Sequence, residues 1–207
     1  KGFAEIYSHI CGEFASFGAV VVAPEHEDGS GLFAQTASEV AIPFTGQYCL
    51  QTRIDELCTA AEVASESLGV SASRVIVAGH SLGAATTVLY AQRHGAAGTL
   101  LFDLWGAALP EEAFMREAPR GAIHLASNQF AKHGFRAAHQ LGARTFVDAR
   151  IERHTWFSDL PLLTPRCFAS GRRSRVAMAA IGRAVHSVMD VYCRSASLEL
   201  PSDFAEA

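Results

Sequence analysis

Gly79-His80-Ser81-Leu82-Gly83 places a serine between two glycines, after the run Val75-Ile76-Val77-Ala78 and directly before Ala84-Ala85-Thr86-Thr87-Val88-Leu89-Tyr90. A serine at a sharp strand-to-helix turn presents its hydroxyl at the carboxyl edge of a sheet, and the glycines remove Cβ atoms that would collide inside the bend. The chemistry that suits Ser81 there is nucleophilic attack on an acyl carbonyl. The helix N-terminus behind it favours developing negative charge, and the backbone N–H of Leu82 is placed to donate to a tetrahedral oxyanion. A serine hydroxyl is a weak nucleophile near neutral pH, so it needs a base, and the base needs a carboxylate to hold its tautomer. The rest of the chain must supply an acid and a histidine at the same sheet edge.

The elements that would do so follow from periodicity. Phe3, Ile6, Tyr7, Ile10, Phe14 and Phe17 recur at helical spacing ahead of Gly18, so residues 3–17 read as an amphipathic helix with a left-handed cap. Ala19-Val20-Val21-Val22-Ala23, closed by Pro24, reads as a strand buried on both faces of a parallel sheet. Residues 27–51 read as a loop, and Ile54, Leu57, Ala61, Ala64 and Leu68 then mark a covering helix. Apolar runs at 74–79, 99–103, 122–126 and 144–148 are separated mostly by helix-compatible stretches. Val176, Ala180, Val185, Val188, Met189 and Tyr192 define a last packing helix, entered through Arg172, Arg173 and Arg175, which read as a solvated entrance. Alternating strands and helices imply one doubly wound, mostly parallel α/β domain spanning residues 1–207, with the nucleophile turn of the α/β-hydrolase fold.

That fold delivers its partners in the order serine, acid, histidine. Asp103 ends the run Thr99-Leu100-Leu101-Phe102, whereas Glu111 and Glu112 follow Pro110 as first-turn helix acids. His154 lies in the loop beyond the 144–148 strand. Among its competitors, His124 falls inside a strand, His133 and His139 in an intervening helix, and His186 in the last helix. His26 follows a strand-like run too, but it precedes Ser81 and would break the order.

With these residues in place, Tyr7-Ser8 through Ala15-Ser16-Phe17-Gly18, Pro24-Glu25-His26-Glu27-Asp28, the Arg74–Thr86 segment, Phe102-Asp103-Leu104-Trp105, Ser127-Asn128-Gln129-Phe130 and His154-Thr155-Trp156-Phe157-Ser158-Asp159 form an ordered set. The set resembles the secreted and type II intracellular platelet-activating factor acetylhydrolases. The resemblance implies Ser81, Asp103 and His154 as the triad, Leu82 as an oxyanion donor, and Trp105 near the acyl pocket. It implies calcium-independent hydrolysis of a short or oxidised sn-2 acyl ester of a glycerophospholipid. The sequence itself shows no metalloprotease helix, P-loop or dinucleotide fingerprint, so no cofactor and no metal are expected. Leu82 and Gly83-Ala84 stand where the family has an aromatic and paired glycines. A His-Gly-x-Gly strand of the family would align ahead of Lys1 and would lie between the 19–23 and 74–79 strands. The chain therefore reads as N-terminally truncated, with the middle of its sheet open, and residues 1–207 alone are expected to fold poorly and turn over little ester.

Bulk properties bound the alternatives. Seventeen Lys and Arg against 21 Asp and Glu give a formal charge of -4, which provides no field for nucleic acid. No apolar run approaches the roughly 20 residues of a membrane-spanning helix. Cys11, Cys49, Cys58, Cys167 and Cys193 are odd in number and contain no CxxC pair, which argues against a disulfide framework or a zinc site and favours a reducing, cytoplasmic setting. Trp156-Phe157 through Leu160-Pro161-Leu162-Leu163 reads either as buried beneath the last helix or as a peripheral contact with a lipid surface. A general carboxylesterase, lipase or polyester hydrolase and a non-catalytic binding relative are the other readings of the same triad types.

Overall fold

The computed structural model describes residues 3–36, 38–163, 171–194 and 204–206. A turn of 3-10 helix at Ala4–Tyr7 leads into α1 (Ser8–Ser16), which ends before Gly18 at φ 97°. A long loop then reaches α2 (Leu50–Leu68), capped by left-handed Gly69. The core follows as β1 (Ile76–His80), α3 (Leu82–His94), β2 (Gly98–Phe102), β3 (Ala122–Ala126), α4 (Ala131–Gln140) and β4 (Arg144–Asp148). After it come a short α5 (Leu160–Leu163), the 24-residue α6 (Gly171–Arg194) and β5 (Phe204–Glu206). Arg172, Arg173 and Arg175 are thus inside the last helix rather than ahead of it. The side chains of Arg172 and Arg173 lie outside the described residues.

The sheet runs β1-β2-β3-β4-β5, with the first four strands parallel and β5 antiparallel to β4. β5 has no counterpart in the sequence reading. Strand alternation sorts the core into two layers. Leu100, Phe102, Ile123, Leu125 and Phe146 pack with Ile10 and Phe14 of α1 and with Ile181, Val185 and Val188 of α6. Val77, Leu101 and Ala122 face the opposite way, onto Ile54 of α2, Ala84 and Val88 of α3, and Ala138 of α4. Burial on both faces is why β2 and β3 read as continuous apolar runs.

Ala19–Ala23 is a correction. The segment forms no strand, and Val20, Val21 and Val22 are 56%, 36% and 48% exposed. A strand exists only where a neighbour answers its N–H and C=O groups, and here a cavity of about 1210 Å³ intervenes, lined by Gly18–Pro24 on one side and by Arg74–His80 on the other. The free edge of β1 faces the same space: among the described residues only β2 pairs with it. The 24–49 loop is anchored independently by Asp28, whose carboxylate accepts from Ser30 Oγ, from Arg53 Nε at 2.6 Å and from the Cys49 N–H. Burial alone would raise the Asp28 pKa, but the hydrogen bonds from Ser30 and Arg53 and the guanidinium charge outweigh it and bring it down to about 2.

His124 ties the sheet to the loop that follows β2. Its ring is fully buried, with Nε2 accepting from the Leu104 N–H at 3.1 Å and Nδ1 3.3 Å from Thr145 Oγ1. Desolvation lowers its pKa from 6.5 to about 4 against the opposing pull of Asp103. The unfolded chain therefore binds a proton that the folded chain refuses. The stability His124 contributes is complete above pH 6.5 and is lost as pH falls towards 4, with a slope of about 1.4 kcal/mol per pH unit. His80, also depressed, adds to the same trend. Denaturant titrations across this window should show His124→Gln losing the His124 share of the slope relative to the parent protein.

Candidate active site

Ser81 sits where β1 turns into α3, with φ 59° and ψ −115°. Its carbonyl accepts from the N–H groups of Ala84, Ala85 and Trp105, and its own N–H donates to the Phe102 carbonyl at 2.9 Å. These bonds over-determine a backbone conformation that costs a non-glycine residue on the order of 1–3 kcal/mol. Gly79 is required for packing of the turn, because a Cβ there would strike the Gly83 carbonyl and Thr87 Oγ1. Leu82 opens α3, whose first N–H groups have no intrahelical acceptors.

Asp103 directly follows β2 with φ 45° and is fully buried. Its Oδ1 accepts the Ser127 N–H at 2.6 Å, and its Oδ2 accepts Ser127 Oγ–H at 2.7 Å. The same Oδ2 lies 2.9 Å from His154 Nδ1. Three donors satisfy a carboxylate that burial would otherwise penalise. His154, at the start of a 3-10 turn spanning His154–Phe157, is held from other directions as well. Gln129 Oε1 accepts its N–H at 3.0 Å, the Phe130 ring stacks on it at 4.4 Å and 20°, and His80 lies against it at 4.3 Å between centroids. Ser81 and His154 line the same cavity, and no hydrogen bond joins Ser81 Oγ to His154 among the described contacts. Such contacts commonly tighten only with substrate bound.

The rival residues are occupied elsewhere. His26 Nδ1 is paired with Glu56 on α2 at 2.5 Å. His133 and His139 lie on α4 and His186 on α6, while Glu111 and Glu112 open an exposed 3-10 turn. Trp105 is 38% exposed, lines the cavity beside Ser81, and meets Tyr48 edge-on at 5.7 Å.

Sequence reasoning missed four members of this cluster. Ser127, Gln129 and Phe130 were visible only as part of a resemblance, with no role attached. His80 was an unassigned motif position, yet its Nδ1 lies 2.9 Å from the Tyr7 hydroxyl and its Nε2 3.3 Å from His154 Nδ1. Burial chiefly, and then the nearby His154, push the His80 pKa well below 6.5, so the ring is neutral. Burial likewise raises the Tyr7 hydroxyl to about 12, which keeps it protonated.

A parallel four-stranded sheet flanked by helices, with a strained serine at its first strand-to-helix turn, is consistent with an α/β-hydrolase fold. Residues 1–53 match the family model of platelet-activating factor acetylhydrolase, isoform II, and the match supports membership of that family and an activity of the phospholipid ester hydrolase class. The matched stretch ends before Ser81. No curated protein and no solved structure matches the chain.

Ser127→Ala should remove one of the three donors to Asp103 while leaving the backbone donor in place. The expected cost is about 1 kcal/mol in denaturant-measured stability, accompanied by a loosened His154–Asp103 contact. The check is the His154 Nδ1 proton resonance, which should move upfield and broaden.

Proposed function

We propose that the chain hydrolyses the short or oxidised sn-2 acyl ester of a glycerophospholipid through an acyl-enzyme on Ser81. Ser81 Oγ attacks the ester carbonyl as His154 Nε2 takes its proton. Asp103 holds the imidazole in the tautomer with the proton on Nδ1 and stabilises the imidazolium that forms. His154 then returns the proton to the leaving alcohol, and a water deprotonated by His154 releases the acid. The Leu82 N–H stabilises the oxyanion, and Trp105 lies against the acyl chain.

The observation that carries this reading is the 2.9 Å contact between His154 Nδ1 and the buried, triply donated Asp103 carboxylate. A fluorophosphonate probe applied to the complete gene product is the direct test. Labelling should reach one site per chain and disappear in Ser81→Ala, while Asp103→Asn should slow turnover by roughly 10⁴-fold. Labelling that persists in Ser81→Ala would reassign the nucleophile. Comparing acetyl, oxidised and long-chain sn-2 phospholipids with a simple aryl acetate separates the phospholipid reading from a general carboxylesterase.

Contact with a lipid surface belongs to the same proposal, narrowed to fewer residues. Trp156 and Phe157 are buried beneath α6 in the core, at 5% and 0% exposure, whereas Leu160, Leu162 and Leu163 of α5 are exposed at 37%, 51% and 68%. Leu160 also borders the cavity, so a bilayer met by α5 would present acyl chains next to its opening. Leu162→Ser with Leu163→Ser should reduce flotation with phosphatidylcholine vesicles several-fold and leave hydrolysis of a soluble aryl acetate intact. Undiminished flotation would remove α5 from the lipid contact.

A further inference from the structure

Beside the serine turn, one metal-ligating atom each from His80, Asp103 and His154 lie within 4.8 Å of one another. His80 Nε2 and His154 Nδ1 are 3.3 Å apart, and His154 Nδ1 and Asp103 Oδ2 are 2.9 Å apart. Zinc–nitrogen and zinc–oxygen bonds of roughly 2.0–2.2 Å put neighbouring ligands of a tetrahedral ion about 3.3 Å apart. Two ring nitrogens facing each other at that separation share at most one proton when both rings are neutral.

The surroundings suit a ligand set as well. Metal-bound imidazoles are usually fixed by a partner on their other nitrogen, and ligating carboxylates by further donors. His80 Nδ1 has the Tyr7 hydroxyl at 2.9 Å, and Asp103 has the Ser127 N–H and hydroxyl. His80 and His154 both line the cavity. Sequence spacing hides the set, because its two histidines are 74 residues apart.

We propose that His80 Nε2, His154 Nδ1 and Asp103 Oδ2 form a reversible site for a divalent transition metal, with Zn²⁺ the best fit, and that its occupation turns the esterase off. The regulatory half of this inference rests on the serine-hydrolase reading above; the binding half does not. A metal on Nδ1 of His154 forces the proton of the neutral ring onto Nε2, the nitrogen that must accept the Ser81 proton. It also takes the Asp103 oxygen that orients the ring. The tautomer shift moves the proton within one imidazole, and Asp103 enters already ionised, so binding releases no net proton at neutral pH.

The test uses the whole chain after dialysis against chelator. Titration with Co²⁺ should give a saturable visible absorption of the intensity typical of four-coordinate cobalt, displaced by Zn²⁺. Ser81→Ala should bind Co²⁺ as tightly as the parent. His80→Gln and His80→Phe should each weaken binding at least about tenfold. In the parent, Zn²⁺ should slow fluorophosphonate labelling at least tenfold, and EDTA should restore it. Absence of a saturable cobalt spectrum, or unchanged affinity in both folded His80 variants, overturns the site. Should those variants unfold, the ring ¹⁵N resonances of His80 and His154 in the parent decide: both must shift with Zn²⁺, and shifts confined to other histidines reject the proposal. Cobalt binding at this site with labelling unaffected by Zn²⁺ rejects the regulatory half alone. Failure of the metal-free protein to label at Ser81 instead counts against the serine reading, whatever cobalt does.

Discussion

A carboxylate with no access to water organises this molecule. Asp103 is tolerable at the end of β2 only because Ser127 approaches with two donors and His154 with a third; left without them, a buried charge would shift or escape. Each donor has its own support. Ser127 is held at the end of β3 in register with β2, since the Asp103 N–H donates to the Leu125 carbonyl. His154 is held by a loop whose path is set by the bonds from Asn128 to the Ile151 carbonyl and from Gln129 to the Glu152 carbonyl. Sheet register, loop path and ring orientation are thus consequences of satisfying one charge.

The polar network extends to both layers of the core. His124 lies one strand over from Asp103 and holds the Leu104 N–H, so the backbone after the acid is tethered from the sheet interior. On the other side, Tyr7 at the end of the first turn reaches His80, joining the N-terminal helical segment to the serine turn. Buried networks of this kind specify one arrangement when every member is satisfied.

Much of this was legible because buried parallel strands have an unmistakable pattern. Val75–Ala78, Leu100–Phe102, Ile123–Leu125 and Phe146–Val147 are apolar on both faces, and the sequence order of their ends ranked Ser81, Asp103 and His154 above their rivals. The same rule misread Ala19–Ala23, because composition reports a capacity for strand and says nothing of whether a neighbour is present to pair with it. It was equally silent on β5, which is too short and too far along the chain to show periodicity. Ser127, Phe130 and His80 escaped for another reason: their roles come from convergence of the ends of β1 and β3 and the loop after β4, and no spacing rule encodes that. Trp156 and Leu163, read as one apolar stretch, separate in space because a 3-10 turn and α5 point them to opposite environments.

The left-handed backbone at Asp103 also shapes the evolutionary neighbourhood of the site. Asparagine, aspartate and glycine tolerate φ near 45°, and other residues meet a steric penalty there. Lengthening the acid to glutamate would therefore oppose the main chain before any question of reach arose. The replacement that the fold accepts most readily is asparagine, one nucleotide transition away, and it erases the charge around which the rest was assembled. Drift at this position is funnelled towards a side chain of the same shape whose amide nitrogen would face one of the donors that the carboxylate now accepts.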